Sequence, residues 1–180
     1  MPAIIDGAVD QVRKAVATLR KLGELLPADD WPVRVTLDTN MLLDDLDVAI
    51  YTSVLGRRYM VHLLPVVLRE LDDKKLGGRT PDLRGAAKKA DRRLKGLRTN
   101  GNVLHGVKEA GDVHAVLEHV EPKGDRLPNW LDLDVPDDRF VASTLLLQSR
   151  HPGSAIYVAT RDINLQTKLA AVALPFIEAP

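Results

Sequence analysis

The sequence predicts an α/β fold in three layers, a mostly parallel central sheet between two layers of helices, with an additional helix at the N-terminus. Three observations lead there. Short apolar, β-branched runs at Val33–Leu37, Tyr59–Leu64 and Ala155–Thr160 have the length and composition of buried strands. Segments of helical length and spacing separate them, and strands alternating with helices imply parallel pairing. Two of the runs end at a carboxylate, Asp38 and Asp162. Outside the carboxyl ends of parallel strands is where open α/β sheets place their ligands.

Taken in order, Asp6 to Leu26 carries Val9, Val12, Val16, Leu19 and Leu26 at spacings of three, four and seven, and Pro27 stops it. That is an amphipathic helix, expected to pack on the core or on a second subunit. Ala28–Pro32 links it to the first strand, which turns at Asp38-Thr39-Asn40 into a short helical segment. Residues 51–58 give no clear assignment. After the strand Tyr59–Leu64, Pro65 stands where a helix can begin, Val66 to Lys75 continues it and Gly77-Gly78 ends it. A second helix runs from Pro81 to about Arg98, with Leu83, Ala87, Ala90, Leu94 and Leu97 as a narrow apolar stripe. Thr99–Asn102 is a turn, Asp112–Val120 a candidate strand, and 121–136 a loop rich in Pro and Asp. Asp137–Arg150 reads as a core helix, Ile163–Ala173 as the helix after the last long strand, and Phe176-Ile177 as a final short strand.

A length of 180 residues suits one domain, with residues 1–30 as a helical extension and 31–180 as the core. No apolar run approaches the roughly 20 residues of a membrane span, and no basic leader precedes the first apolar residues, so a cytoplasmic protein is expected. There is no cysteine, which removes disulfides, thiolate zinc sites and a thiol nucleophile. Formal net charge is zero, but Arg69–Arg98 holds eleven basic against five acidic residues. That stretch carries +6 and the remainder −6. Whole-molecule attraction of a polyanion is therefore weak, while a local ridge of Arg84, Lys88, Lys89, Arg92 and Arg93 could still hold one.

Four acids stand at places where a fold could bring them together. Asp38 and Asp162 follow strands, Glu70 flanks the core-facing stripe of its helix, and Asp137, with Asp138 beside it, opens another helix. Singly, each has an ordinary explanation as a helix cap, a turn residue or an i,i+4 partner such as Lys74 for Glu70. Jointly they do not. Two carboxylates about 5 Å apart repel by roughly 3 kcal/mol at an effective dielectric near 20. A cluster of three or four is tolerable only with protons or a divalent cation. Oxygen-only ligands suit Mg²⁺ or Mn²⁺ rather than zinc, and such a site suits phosphoryl chemistry.

These residues resemble a PIN domain, the metal-dependent nuclease fold. Four blocks carry the likeness, in order and at matching spacing: Leu37-Asp38-Thr39-Asn40, Pro65 to Asp72 around Glu70, Asp137-Asp138-Arg139-Phe140, and Ala159 to Leu165 around Asp162. The wording of the last block is most similar to PIN domains associated with PhoH-type ATPases and RNA-decay nucleases. The resemblance implies a PIN-like three-layer fold over about Val33–Ile177 and an acidic quartet of Asp38, Glu70, Asp137 and Asp162 around Mg²⁺ or Mn²⁺. Asp138 is the substitute for Asp137, and Asn40 and Thr160 would orient ligands or waters. It implies cleavage of single-stranded RNA by metal-activated water, leaving 5′-phosphate and 3′-hydroxyl ends. Many relatives are toxins restrained by an antitoxin protein, and many form homodimers, so both partners enter as expectations.

Three rivals remain. His114 and His119 could form a metal-free acid–base pair, although their spacing of five separates them on a strand or a helix. Asp38 could be an aspartyl nucleophile, without the usual basic partner nearby. A non-catalytic RNA-binding or scaffold protein could retain the fold, but it would have no reason to keep an unneutralised acidic pocket. With 4% aromatic residues, an extensive base-stacking platform is not expected.

Overall fold

Val33–Leu37, rich in β-branched residues, forms the central strand β1, buried from Arg34 onward. The computed structural model describes residues 2–44, 47–124 and 127–178, with side chains from residue 5 onward. Helix α1 spans Pro2–Gly23, and β1 is followed by α2 (Thr39–Asp44) and α3 (Thr52–Leu55). Then come β2 (Arg58–Leu63), α4 (Pro65–Gly77), α5 (Pro81–Leu97), a 3₁₀ turn (Arg98–Asn100), β3 (Val107–Ala110) and β4 (Asp112–Leu117). The chain ends with α6 (Pro136–Arg150), β5 (Ala155–Ala159), α7 (Ile163–Ala171) and β6 (Phe176–Ile177). The sheet order is β3-β4-β2-β1-β5-β6. Every neighbouring pair is parallel except the β3/β4 edge hairpin.

Period-2 alternation splits the two faces of the sheet. Leu63 and Ala115 meet Leu94 and Leu97 of α5 around one small void, and α5 in turn packs on α4 and α2. The opposite face presents Arg34, Thr36 and His62. There the Thr36 and Thr144 hydroxyls approach to 3.4 Å, which lays α6 across that side. The result is the α/β/α sandwich expected. Strand β3 was not anticipated. Val-Lys-Glu-Ala has little strand character of its own, and only antiparallel pairing with β4 extends it. The short α3 falls in the stretch that gave no assignment, and Asp125 and Arg126 of the expected 121–136 loop lie outside the described residues.

One expectation for α1 is overturned. Its apolar stripe does not pack on the core, for Ile5, Val9, Val12, Val16 and Leu19 are all exposed. Only the linker behind it is anchored. At Gly153 the chain passes so close that an added Cβ would lie 2.0 Å from the Pro27 carbonyl oxygen.

A buried polar network ties that linker to the sheet. Arg34 donates to Asp29 (2.6 Å), Ser154 (3.0 Å) and His62 Nε2 (2.9 Å). Because Nε2 accepts from a guanidinium, the His62 proton sits on Nδ1, which donates to Glu118 at 2.8 Å. Arg150 also reaches Glu118, and His151 Nδ1 reaches Asp29. Burial holds His62 below the ordinary histidine pKa against the pull of Glu118, with Arg34 and His151 also opposing its charge. The unfolded chain therefore takes up this proton first as pH falls. The network's contribution is complete above about pH 6.5 and is lost as pH drops through the depressed folded value. Thermal denaturation between pH 7.5 and 5 should show a falling midpoint in the wild type and a flatter profile in His62→Gln. Identical slopes would mean that His62 titrates alike in both states.

Candidate active site

The register of β1 and β5 builds the site. Leu37 pairs with Ala159, so the residues that follow each strand, Asp38 and Thr160, leave the sheet side by side. The Asp38 N–H donates to the Ala159 carbonyl at 3.0 Å, and the Thr160 hydroxyl donates to Asp38 Oδ2 at 3.0 Å. The same Thr160 oxygen accepts from the Asp162 N–H at 3.1 Å. A single buried hydroxyl thus fixes two acids from different strands. The β1–β5 boundary is also where the strand order reverses direction, the topological position for a ligand crevice.

Glu70 arrives from α4. The Thr39 hydroxyl donates to Glu70 Oε2 at 2.7 Å, drawing that carboxylate toward the start of α2. Burial raises the pKa of both Asp38 and Glu70. Asp38 is further raised by the charge of Asp162, although Thr160 and the Asn40 and Thr39 amides oppose this. Glu70 is further raised by Asp38 and Asp137, against Thr39 and Lys74. The acids therefore form a chain of mutual repulsion, Asp162 to Asp38 to Glu70 to Asp137, from four separate elements.

The adjacent acids of α6 diverge, as neighbours about 100° apart on a helix must. Asp138 is buried: its Oδ2 accepts from the Asp132 N–H at 2.9 Å, and its Oδ1 pairs with Lys168 at 2.6 Å. Burial alone would raise its pKa, but the Asp132 amide and Lys168 outweigh it and hold the carboxyl low. Asp137 is half-exposed, lies 3.5 Å from Lys168, and is the one whose charge Glu70 feels. Asp162 spends Oδ1 on capping α7, accepting from Asn164 (2.7 Å) and Leu165 (3.3 Å). The capping explanation thus holds for one of its oxygens. Asn40 is exposed beside Asp38. Among the described residues no three acidic or histidine side chains close into a preformed metal cage.

Two contributors were not singled out from sequence. Thr39 lies inside the Asp-Thr-Asn block, and its place directly after Asp38 was the available signal. Lys168, midway along α7, carries no local signal, because only the α6/α7 packing brings it to Asp137 and Asp138. The basic ridge is divided. Arg84 turns inward to the Gly78 carbonyl and Arg93 pairs with Glu109, while Lys88, Lys89 and Arg92 are exposed and have no ion pair among the described residues. His114 and His119 are remote from the acids. His114 packs on Trp31 with ring centroids 4.8 Å apart, and His119 lines a cavity with His62, His105 and His151 that none of the four acids touches.

A family model of the PIN domain matches residues 35–176. The chain belongs to the PIN-domain family. No curated protein shows a significant match to it. PIN domains are in general nucleases that use divalent metals, and the matched span contains all four acids. The donor set of this PIN domain fits such an ion. It is all oxygen, and burial together with mutual repulsion leaves Asp38 and Glu70 short of positive charge. Without a closed cage, an ion here would complete its coordination with water, as Mg²⁺ usually does. No helix among the described residues is long and apolar enough to cross a membrane.

Proposed function

We propose that this PIN domain is a ribonuclease that cleaves single-stranded RNA, with Mg²⁺ or Mn²⁺ held by Asp38, Glu70, Asp137 and Asp162. The observation that carries this reading is the pair of inner carboxylates, buried Asp38 and partly buried Glu70, disfavoured as anions first by burial and then by the charges of Asp162 and Asp137. A bound divalent cation would relieve that repulsion and supply both an activated water and positive charge opposite the scissile phosphate. The protein's own part is positional. Thr160 and Thr39 hold the two inner carboxylates in place, and Lys168 beside Asp137 adds a fixed positive charge at the rim. Exposed Asn40, two residues after Asp38, would meet a phosphate oxygen or an ordered water.

Labelled single-stranded RNA incubated with Mn²⁺ should be cut to 5′-phosphate products, and EDTA should stop the reaction. Cleavage that survives EDTA would transfer the activity to the histidine route. Binding without cleavage in either metal would leave an RNA-binding scaffold.

Helix α5 packs on α2 and α4, the elements that carry Asn40 and Glu70, and its exposed basic side chains are the proposed RNA ridge. Replacing Lys88, Lys89 and Arg92 together by Gln should weaken RNA binding and lower the slope of log K against log salt by about 2, from roughly 0.7 per phosphate contact on a single strand. Cleavage at saturating RNA should hardly change. An unaltered salt slope would make the ridge an ordinary solvated face.

A further inference from the structure

Helix α1 is the largest feature of the molecule that the nuclease site does not use. Ile5, Val9, Val12, Val16 and Leu19 recur at spacings of four, three, four and three, and each is between 41% and 66% exposed. A mean spacing of 3.5 is the narrow seam of a coiled coil rather than the broader stripe of a helix lying on a core. At 22 residues α1 is about 33 Å long, and a lone helix of this kind with its apolar stripe in water is marginal. Something must cover it, and the other described residues of the chain do not.

Charge says what. From Ile5 to Val12 the only charged residues are Asp6 and Asp10, while from Arg13 to Gly23 they are Arg13, Lys14, Arg20 and Lys21. The polarity matches the helix's own dipole, which accounts for the order of the signs but not for the bare stripe. A second α1 laid antiparallel sets each acidic half against a basic half, whereas a parallel copy sets like against like. One flank of the seam is Asp6, Arg13 and Arg20. The other is Ala8, Ala15 and Leu22, with no charge to hinder close approach.

We propose that α1 pairs with α1 of a second copy of this chain in an antiparallel two-helix seam, making the protein a dimer joined outside its nuclease core. The proposal does not depend on the ribonuclease reading. The absence of cysteine makes orientation directly testable. Sedimentation equilibrium of the full chain at tens of micromolar should give twice the chain mass, and Val12→Glu should give a single chain with an unchanged core melting temperature. Asp6→Cys mixed with Arg20→Cys should form a disulfide-linked dimer on mild oxidation, while either variant alone should form far less. A monomeric wild type, a Val12→Glu variant that stays dimeric, or preferential linking of Asp6→Cys to itself would each overturn the proposal.

Discussion

Asp38→Asn should abolish metal-dependent RNA cleavage and, in the same protein, raise the melting temperature of the metal-free form. The two effects share one cause. Asp38 is buried at the tip of β1 with Asp162 close enough to repel it, so its folded pKa lies above the ordinary carboxylate value. For a raised acid the sign is fixed: its contribution to stability is fully present below the unfolded pKa and is lost as pH rises through the folded one. At neutral pH, above the unfolded value, Asp38 is therefore a cost to the fold. Asparagine removes the charge while keeping a carbonyl oxygen to accept from Thr160. A gain of about 1 kcal/mol would raise the midpoint of a chain this size by about 2–4 °C. Cleavage should fall by at least about 100-fold, near 3 kcal/mol of lost transition-state stabilisation. Mg²⁺ should stabilise the wild type, by about 2.7 kcal/mol at a concentration 100 times its dissociation constant, and should affect the variant much less. Retained cleavage, or a wild type whose melting ignores both Mg²⁺ and Mn²⁺, would remove Asp38 from the metal site.

The largest stability loss should come from Arg34→Ala. Arg34 is 6% exposed and holds Asp29, His62 and Ser154 at once. Burial alone would raise the pKa of Asp29. The Trp31 amide, Arg34 and His151 outweigh it and keep that carboxyl far below its usual value. Truncating the arginine leaves a largely buried carboxylate without its closest cation and a buried imidazole nitrogen without a donor. Breaking a buried pair from one side costs about 3–5 kcal/mol. Denaturant unfolding should show this as a lower midpoint with little change in slope. Cleavage measured at low temperature should persist, because Arg34 touches none of the four acids. A loss below about 1 kcal/mol would show that water replaces the guanidinium without difficulty.

The acids of the crevice could be read from the chain because their positions are tied to elements with strong local signals. Asp38 and Asp162 follow apolar runs too short and too β-branched to be helices, and a strand tip has only one place to go in a parallel sheet. Glu70 sits at a fixed phase from Val67 and Leu71 on a helix that Pro65 starts. The choice between Asp137 and Asp138 was of another kind. Both belong to the first turn of α6, and only the position of Lys168 and the Asp132 amide shows that one turns inward and the other toward Glu70. Likewise Arg84 and Arg93 look like their neighbours in the basic run, and their engagement depends on Gly78 and on β3, a strand that has no signal of its own.

Local sequence, then, determined the strands and helices other than β3 and α3, and which acids stand at their ends, because period, β-branching, proline and abrupt polarity act within a few residues. The tertiary structure alone decided that Arg34 is buried among Asp29, His62 and Ser154, that Thr39 and Thr160 bridge acids from different elements, and that the apolar stripe of α1 faces solvent. Apart from Asp29, five residues before Arg34, those outcomes depend on contacts between residues 28 to 122 positions apart, or on the lack of such contacts, and no local pattern encodes them.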